Sequence, residues 1–580
     1  MAFDGVITKS IVTELNNTII NGKINKVFEP NKNEIILGIY SNGKNYALNI
    51  VISANNYRLN LTNNSKPNPS TAPNFCMLLR KHLIGAKIKN ISMNGLERII
   101  TICFQCYNEL NDLTEKNLII ELMGKHSNII LTNESNTIID SLRHLDTSTG
   151  SIRDIMPARK YILPETTKLD IYSISSFDEF YNYTKSIDTL NTGISNLFNG
   201  LSKSFIDCAI SILQIDNTVN LDNLQKIYNY ILKVLNNIPK SENLCVKFGQ
   251  NDFSIIPIKA TNIDDIEIIE SSELGINYFI DDFYYKKESN DTFVEYRNSI
   301  LQLTSLVLNK ISKKLKNINS KLDDCKNIDI YKLYGELITS NLYRLKNIIT
   351  NKNFIELENY YDNNNLIKIP LDIKYSVADN AKLYFKKYNK LKNTLQIVSE
   401  QKKQTEQELN YVESIIYELD RAKTINDINE IYTEMCENKM FENLRKYKNK
   451  YISSFSNKKY VSTTEPIKII IDNYTIMVGK NNKQNDYLTT KIAKKDDMWF
   501  HTKDIHGSHV ILVTNHAKPD IDIIIKCAEI AAYYSKASMS SNVNVDYTLV
   551  KNVKKPSGAK PGMVIYTHNE TITVKPNKNH

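Results

Sequence analysis

Along the first 172 residues, apolar and polar positions alternate in short runs after one amphipathic helix. The periodicity predicts that helix over Lys9–Asn21, then strands over Ile24–Pro30, Glu34–Tyr40 and Tyr46–Ile52. Asn42-Gly43 between two of these runs is a hairpin turn signal, because both central residues of such a turn need a left-handed backbone. After SKPNPSTAPN a second helix starts near Asn74 with FCMLLRKHL. Strands are then expected at Lys87–Ser92, Arg98–Phe104, Leu118–Leu122 and Asn128–Leu131. Residues 173–240 read as short helices broken by Gly193, Gly200 and Pro239. Such turns suit helix-hairpin-helix geometry, in which N–H groups at a helix start hold a phosphate, although plain helix packing explains them as well. A short β return follows at Cys245–Ile258.

The period changes from about Asp291 to Leu419. Leu301, Thr304, Leu308, Ile311, Leu315, Ile318, Leu322 and Cys325 follow alternating steps of three and four. A second seam runs from Tyr384 and Tyr388 through Leu391, Leu395, Val398, Lys402, Thr405, Leu409, Val412 and Ile416 to Leu419. Two heptad seams joined by a globular insert predict an antiparallel coiled-coil hairpin. With helices of roughly 35–40 residues its reach would be about 50–60 Å. Tyr334–Leu345 and Asn359–Asp372, the latter with a turn and Pro370, would form a small tip. A stalk of this length separates two sites or touches a distant partner, and enzymes acting on small molecules seldom need one.

The stretch Asp497–Lys560 carries the most chemistry. Two strand-like runs flank one helix, and DMWFHTKDIHGSHVILV, AAYYSKA and VDYTLVKNVKKPSGAKPGMVIY hold the only Trp, several His, paired Tyr and a lysine cluster. Aromatic and basic residues gathered in one small domain point to a folded polyanion, and RNA fits best. Charge agrees: the chain is formally +9, and residues 441–580 alone carry roughly +10, so one face is electropositive. Heavy use of Asn, Ile, Lys and Tyr blurs any composition-based argument about disorder. The length of 580 residues suggests three or four domains. MAFDGVITKSIVTEL lacks a basic start followed by an apolar run, so no signal peptide is expected. No stretch reaches the ~18 apolar residues a bilayer span needs. The eight Cys are scattered, as in a reducing cytosol, and the single CxxC of Cys103 and Cys106 reads as strand thiols rather than a zinc site.

Catalytic motifs are missing from the sequence: it shows no GxSxG, P-loop, HExxH or Rossmann glycine pattern. Asp4, Glu97, His126 and Asp140 could in principle supply acid and base groups. His501, His506 and His509 lack an acidic or Cys partner at ligand spacing, so polar RNA contact or a core imidazole explains them better than a metal. Glu97–Arg98 reads either as a surface ion pair or as a carboxylate orienting a guanidinium toward a phosphate or base edge. Lys125 and His126 face the same choice between RNA contact and a decorated turn. KKPSGAKPGMV (Lys554–Val564) is more specific, because two Pro and two Gly fix a loop along which three Lys lie. A rigid basic loop loses less entropy on meeting phosphate.

These blocks together resemble a known family over essentially the whole chain. MAFDG, FCMLLRKH (75–82), GLERI (95–99), GKHSNIILT (124–132), YGELITSNLYRL, YFKKYNKLKN (384–393), WFHTKDIHGSHV (499–510), AAYYSKA (531–537) and VDYTLVKNVKKPSGAKPGMV (545–564) look like those of the bacterial RqcH-type NFACT proteins, long called fibronectin-binding protein A-like. The resemblance implies an α+β multidomain fold. It would hold an N-terminal glycosylase-like α/β NFACT-N domain (1–172), a helix-hairpin-helix region with a short β return (173–285), a long antiparallel coiled-coil hairpin (286–436) and a C-terminal α/β RNA-binding NFACT-R domain (437–580). It also implies a cytoplasmic, ribosome-associated quality-control factor that binds a large ribosomal subunit with peptidyl-tRNA. Such a factor recruits alanyl-tRNA and extends the stalled nascent chain with C-terminal alanine, the bond-making left to the ribosome. The residues then expected at tRNA or other RNA are Asp4, Glu97, Arg98, Lys125, His126, Trp499, His501, Lys503, His509, Tyr533, Tyr534, Lys551, Lys554, Lys555 and Lys560. No catalytic residue, metal, cofactor or membrane contact is implied. Glu97 stands where the family often has Asp, and His506 where it commonly has Pro. The related glycosylases use an N-terminal Pro amine followed by Glu, whereas residues 2 and 3 here are Ala and Phe, so base excision is disfavoured. A surface fibronectin-binding adhesin is the alternative reading, taken from the older family name.

Overall fold

Helix α1 (Gly5–Ile19) begins four residues ahead of the periodicity because Asp4 caps it, its carboxylate accepting from Ile7 N at 3.0 Å. The computed structural model describes residues 3–107, 112–146, 153–248, 252–258, 267–268, 275–345, 353–441 and 465–578. The chain divides into two units, Met1–Asn290 and Asp291–His580.

In the first unit, nine strands form one antiparallel sheet. They are β1 (Lys23–Asn31), β2 (Glu34–Ser41), β3 (Lys44–Val51), β4 (Arg58–Leu61), β5 (Lys87–Met93), β6 (Ile99–Tyr107), β7 (Leu113–Glu121), β8 (Asn128–Asn133) and β9 (Ile138–Ser141). Their spatial order is β4-β3-β2-β1-β5-β6-β7-β8-β9. The Asn42-Gly43 turn joins β2 to β3 with φ of 50° and 77°, as a two-residue hairpin requires. Helix α2 (Asn74–Leu83) lies where FCMLLRKHL places it. Strands β4 and β9, four residues each, escape the periodicity, since so short a run shows no alternation. Cys103 and Cys106 sit on opposite faces of β6, the first donating to Glu115 at 3.4 Å and the second buried.

Helices α3 (Phe177–Thr184), α4 (Leu190–Leu197), α5 (Lys203–Leu213) and α6 (Leu221–Asn237) follow, then β10 (Asn243–Phe248), β11 (Asp252–Pro257) and β12 (Glu267–Ile268). Phe180, Phe198, Phe205 and Ile231 belong to the same hydrophobic cluster as Ile7, Leu37 and Leu118. The expected boundary at 172/173 therefore does not interrupt the core. The two glycines read as phosphate-turn candidates have packing reasons instead. A Cβ on Gly193 would fall 2.5 Å from Ile187 Cβ, and Gly200 presses on the backbone of Leu96.

Helix α7 (Gly275–Asp324) is 50 residues long and passes straight through the expected 285/286 boundary. Its first turns belong to the first unit through buried polar contacts. Asn277 Oδ1 accepts from Leu61 N at 2.9 Å, Asp281 accepts from Asn64 Nδ2 at 2.9 Å, and Glu288 takes Arg58 at 2.5 Å and Lys66 at 3.0 Å.

In the second unit, α7 runs antiparallel to α10 (Val377–Arg421, 45 residues). Lys314 meets Glu408 at 3.1 Å, and Tyr296 donates to Asn429 at 2.9 Å in α11 (Ile425–Glu437), the helix after α10. The heptads hold: Thr304, Ile311, Ile318 and Cys325 are buried at every seventh position, as are Val398, Thr405, Val412 and Leu419. At 1.5 Å per residue the helices are about 75 and 68 Å long, more than expected. Helices α8 (Ile328–Ser340) and α9 (Leu342–Leu345) and the hairpin β13 (Phe354–Asn359)–β14 (Asn365–Pro370) make the tip.

The rest is a sheet domain. It has β15 (Ile467–Ile471), β16 (Tyr474–Val478), α12 (Asn482–Tyr487), β17 (Met498–Thr502), β18 (Val510–Val513), α13 (Ile521–Tyr533), β19 (Val543–Leu549), the short pair β20 (Val553–Lys554)–β21 (Ile565–Tyr566) and β22 (Glu570–Val574). Six strands pair in the order β15-β16-β18-β17-β19-β22. The start of α12 pins this domain to α10 and α11. Asn481 donates to Glu430 at 2.7 Å, Asn482 to Ser414 at 3.0 Å, and Lys483 pairs with Glu437 at 2.7 Å. No helix of the described residues is long and apolar enough to cross a membrane.

Candidate nucleic-acid interface

Two sites emerge, one in each unit. In the first, two glycines of separate motifs meet beside Leu96. Gly5 N donates to Gly200 O at 2.9 Å, and a Cβ on Gly5 would lie 2.7 Å from Gly200 Cα and closer still to Leu96 O. This crossing brings the loop after β5 against the start of α1. Asp4 is buried, accepts from Ser202 Oγ at 2.6 Å, and its carboxyl is raised above the ordinary range by burial, with Ser202, Ile7 and Arg98 pulling it back. Arg98 is half-buried, donates to Tyr57 Oη at 2.6 Å, and its guanidinium lies 5.5 Å from that ring.

Glu97 does not pair with its neighbour. Partial burial, then the nearby Asp170, push its carboxyl up. Arg98 O accepts from Leu122 N at 2.8 Å, so the Glu97–Arg98 segment and the turn Gly124–His126 share one end of the β6–β7 pair. Lys125 and His126 are exposed there, and Arg143 holds the turn by donating to Lys125 O at 3.1 Å and Ser127 O at 3.0 Å. The geometry thus brings Asp4, Glu97 and Arg98 together, with an exposed basic turn at the same sheet end. Asp4 acts as a helix cap and not as a surface group.

In the second unit the basic loop 555–564 closes the β20–β21 hairpin, with Gly558 and Gly562 at φ of 77° and 75°. Lys551, Lys554 and Lys555 are exposed. Lys555 is tethered to Asp486, and Lys560 donates to Asn438 at 2.9 Å with its ammonium 5.7 Å from the Tyr411 ring. Lys503 is exposed beyond β17.

Trp499 and His509 are corrected by their burial. Trp499 is fully buried between His501, His509 and Tyr566, and His509 ring nitrogen meets Thr489 Oγ1 at 2.7 Å. Burial pushes His509 down to about 3 and half-exposed His501 down to about 4, so both are neutral imidazoles. Trp499 and His509 shape the floor of the domain and offer no ring face to a base. Among the described residues no group of His, Cys, Asp and Glu could hold a metal ion.

Tyr533 and Tyr534, at the end of α13, are half-buried and line a pocket of about 1030 Å³ between this domain and the α10–α11 turn. His501, His506, Arg421, Lys536, Lys578 and Glu418 also line it. Sequence reasoning missed the contribution of α10 and α11, because Glu418 and Arg421 stand at the end of the heptad seam and meet the pocket's other walls, Asn482 and Tyr534, only through packing between segments about 60 to 110 residues apart.

The sequence pattern described as the NFACT N-terminal and middle domains matches residues 4–453, and that of the NFACT protein RNA binding domain matches residues 467–567. The chain is 36% identical over 584 residues to the Rqc2 homolog RqcH of Bacillus subtilis, covering 99% of this chain and 98% of that one. It is 31% identical to the Rqc2 homolog RqcH of Streptococcus suis, again over 99% and 98% of the two chains. Among solved structures, the N-terminal part of the fibronectin/fibrinogen-binding protein from Streptococcus suis covers 49% of this chain and 100% of its own, at 27% identity and a TM-score of 0.41.

Proposed function

The chain belongs to the NFACT family, and from that premise we propose that it acts in ribosome-associated quality control as an RqcH-type factor. In this reading it binds a large ribosomal subunit that still holds peptidyl-tRNA, recruits alanyl-tRNA, and supports C-terminal alanine tailing of the stalled nascent chain in the cytoplasm. The observation that carries it is the exposed, glycine- and proline-fixed loop with Lys554 and Lys555, set in a domain of the RNA-binding pattern. Lysines held on a rigid hairpin engage phosphate with little ordering cost.

The peptidyl-transfer chemistry is assigned to the ribosome. Arg98, with its neighbour Glu97 and the turn Lys125–His126, is the proposed tRNA contact of the first unit. Lys503, Lys551, Lys554, Lys555, Tyr533 and Tyr534 are the proposed contacts of the second. Co-sedimentation of the tagged chain with large subunits carrying peptidyl-tRNA tests the partner, and sequencing the RNA that co-purifies tests the tRNA. Equal recovery of intact ribosomes and empty subunits, or co-purified RNA without enrichment of any tRNA, would refute it.

A further inference from the structure

Glu413, Tyr417 and Arg421 stand four residues apart on α10, so they share one face of that helix. The face looks onto the C-terminal domain: Glu413 meets His506 at 3.5 Å, and the Arg421 guanidinium lies 4.7 Å from the Tyr534 ring centroid. The same guanidinium lies 5.6 Å from the Tyr417 ring and donates to Tyr417 Oη at 2.5 Å. Two rings and one hydrogen bond thus hold Arg421 in place, and four of its five N–H donors remain for a ligand. The rim across from it is fixed by the backbone, with Ser508 N donating to Tyr534 O at 3.0 Å and Lys536 N to His506 O at 2.9 Å. Lys578 extends the rim, 6.0 Å from the Tyr533 ring centroid. Among the described residues Arg421, Lys536 and Lys578 pair with no carboxylate, whereas Asp486 holds Lys555 and Glu437 holds Lys483. The carboxyls of the pocket do little to cancel this charge. Asp427 accepts from the N–H groups of Lys423 and Thr424, burial and the neighbouring Glu434 raise Glu418 well above the carboxylate range, and Asp420 is exposed to water. Unpaired cations beside rings, in a cavity of about 1030 Å³, are the features that hold a single nucleic-acid strand; a duplex keeps its bases stacked away from such rings.

We propose that this pocket takes the backbone of an unpaired RNA segment, its phosphates meeting Arg421 from the stalk and Lys536 and Lys578 from the domain. The assignment rests on the RNA-binding reading and adds to it a residue outside the RNA-binding pattern, which covers 467–567. A guanidinium already oriented by Tyr417 presents a planar fork to phosphate at little further ordering cost. Because the cations come from both α10 and the domain, the bound strand also ties the two together.

Fluorescence anisotropy of the full chain with a labelled eight-nucleotide RNA, single-stranded or as a blunt duplex of the same sequence, tests the pocket. The single strand is expected to bind about tenfold more tightly, the worth of one charge-assisted hydrogen bond. Arg421→Ala should remove most of that advantage and lower the slope of log affinity for the single strand against log salt by about 0.7. Lys536→Ala, at an exposed site, should remove it as well, which a role for Arg421 confined to docking would not produce. Tyr417→Phe keeps the ring and the charge of Arg421 but frees the guanidinium, so single-strand affinity should fall about threefold with the slope unchanged. A duplex bound as tightly as the single strand, or an advantage that survives either Arg421→Ala or Lys536→Ala, would overturn the proposal. Binding of folded tRNA at low salt, measured on the same preparation, reports the wider reading separately: tRNA binding without a single-strand preference removes the pocket assignment alone, and binding of no RNA overturns both.

Discussion

Replacing Gly200 by Ala should damage the first unit and leave the second untouched. Gly200 has φ of 72°, a left-handed backbone that costs an L-residue about 1–2 kcal/mol. The added Cβ would also lie 3.0 Å from the Leu96 carbonyl carbon and nearer to its oxygen. Both are backbone atoms, so no side chain can swing aside. Overpacking of this kind costs about 1–3 kcal/mol. Together the substitution should remove about 2–5 kcal/mol and displace the loop that presents Glu97 and Arg98. The single Trp, Trp499, is buried in the second unit and gives an internal control. In urea, the transition followed by far-UV circular dichroism should gain an early component, while the Trp fluorescence transition stays in place. A Trp transition that moves by as much, or a dichroism curve that does not move, would refute the reasoning.

Arg98→Ala should abolish alanine tailing in a reconstituted reaction while the dichroism spectrum stays native, since the structural cost is its hydrogen bond to Tyr57 Oη. Lys554→Ala with Lys555→Ala should lower the slope of log affinity for tRNA against log salt by about 0.7–0.9 for each phosphate no longer neutralised, read by filter binding across a salt series. The α10–α11 packing should weaken as pH rises. Burial pushes the Glu434 carboxyl up to about 7, with Tyr411 and Asn482 pulling it back, and burial also raises its neighbour Glu418. The folded form therefore holds a proton that the unfolded chain has released. The destabilising contribution is absent below about pH 4.5, grows as pH climbs toward 7 and is complete above it. Thermal unfolding followed at Trp499 should occur at higher temperature at pH 5.5 than at 7.5, and Glu434→Gln should flatten that difference.

The heptads and the Asn42-Gly43 hairpin were legible because their signals are local: a seven-residue repeat and two left-handed residues need no knowledge of distant partners. The ends of α7 and the roles of the aromatics were not. The heptad pattern starts only near Asp291, so it does not extend the helix back to Gly275, where Asn277 and Asp281 are buried against a strand and loop more than 200 residues away. Trp499 reads from sequence as a stacking surface, but β17 is an interior strand with Phe500 in one hydrophobic cluster and Trp499 in another. The signal is present in MWFHT, whose lack of apolar–polar alternation marks a strand covered on both faces. The basic loop was legible in its residue types. The tethers of Lys555 and Lys560 were not, because Asp486 and Asn438 lie far off in the chain.

The tether on Lys555 has a kinetic consequence. Any phosphate that captures this ammonium must first evict Asp486, and the freed carboxylate then faces the newcomer at close range. Capture becomes an exchange of one anion for another, so the lysine adds less to residence time than an unpaired ammonium would. A grip made this way lets go readily.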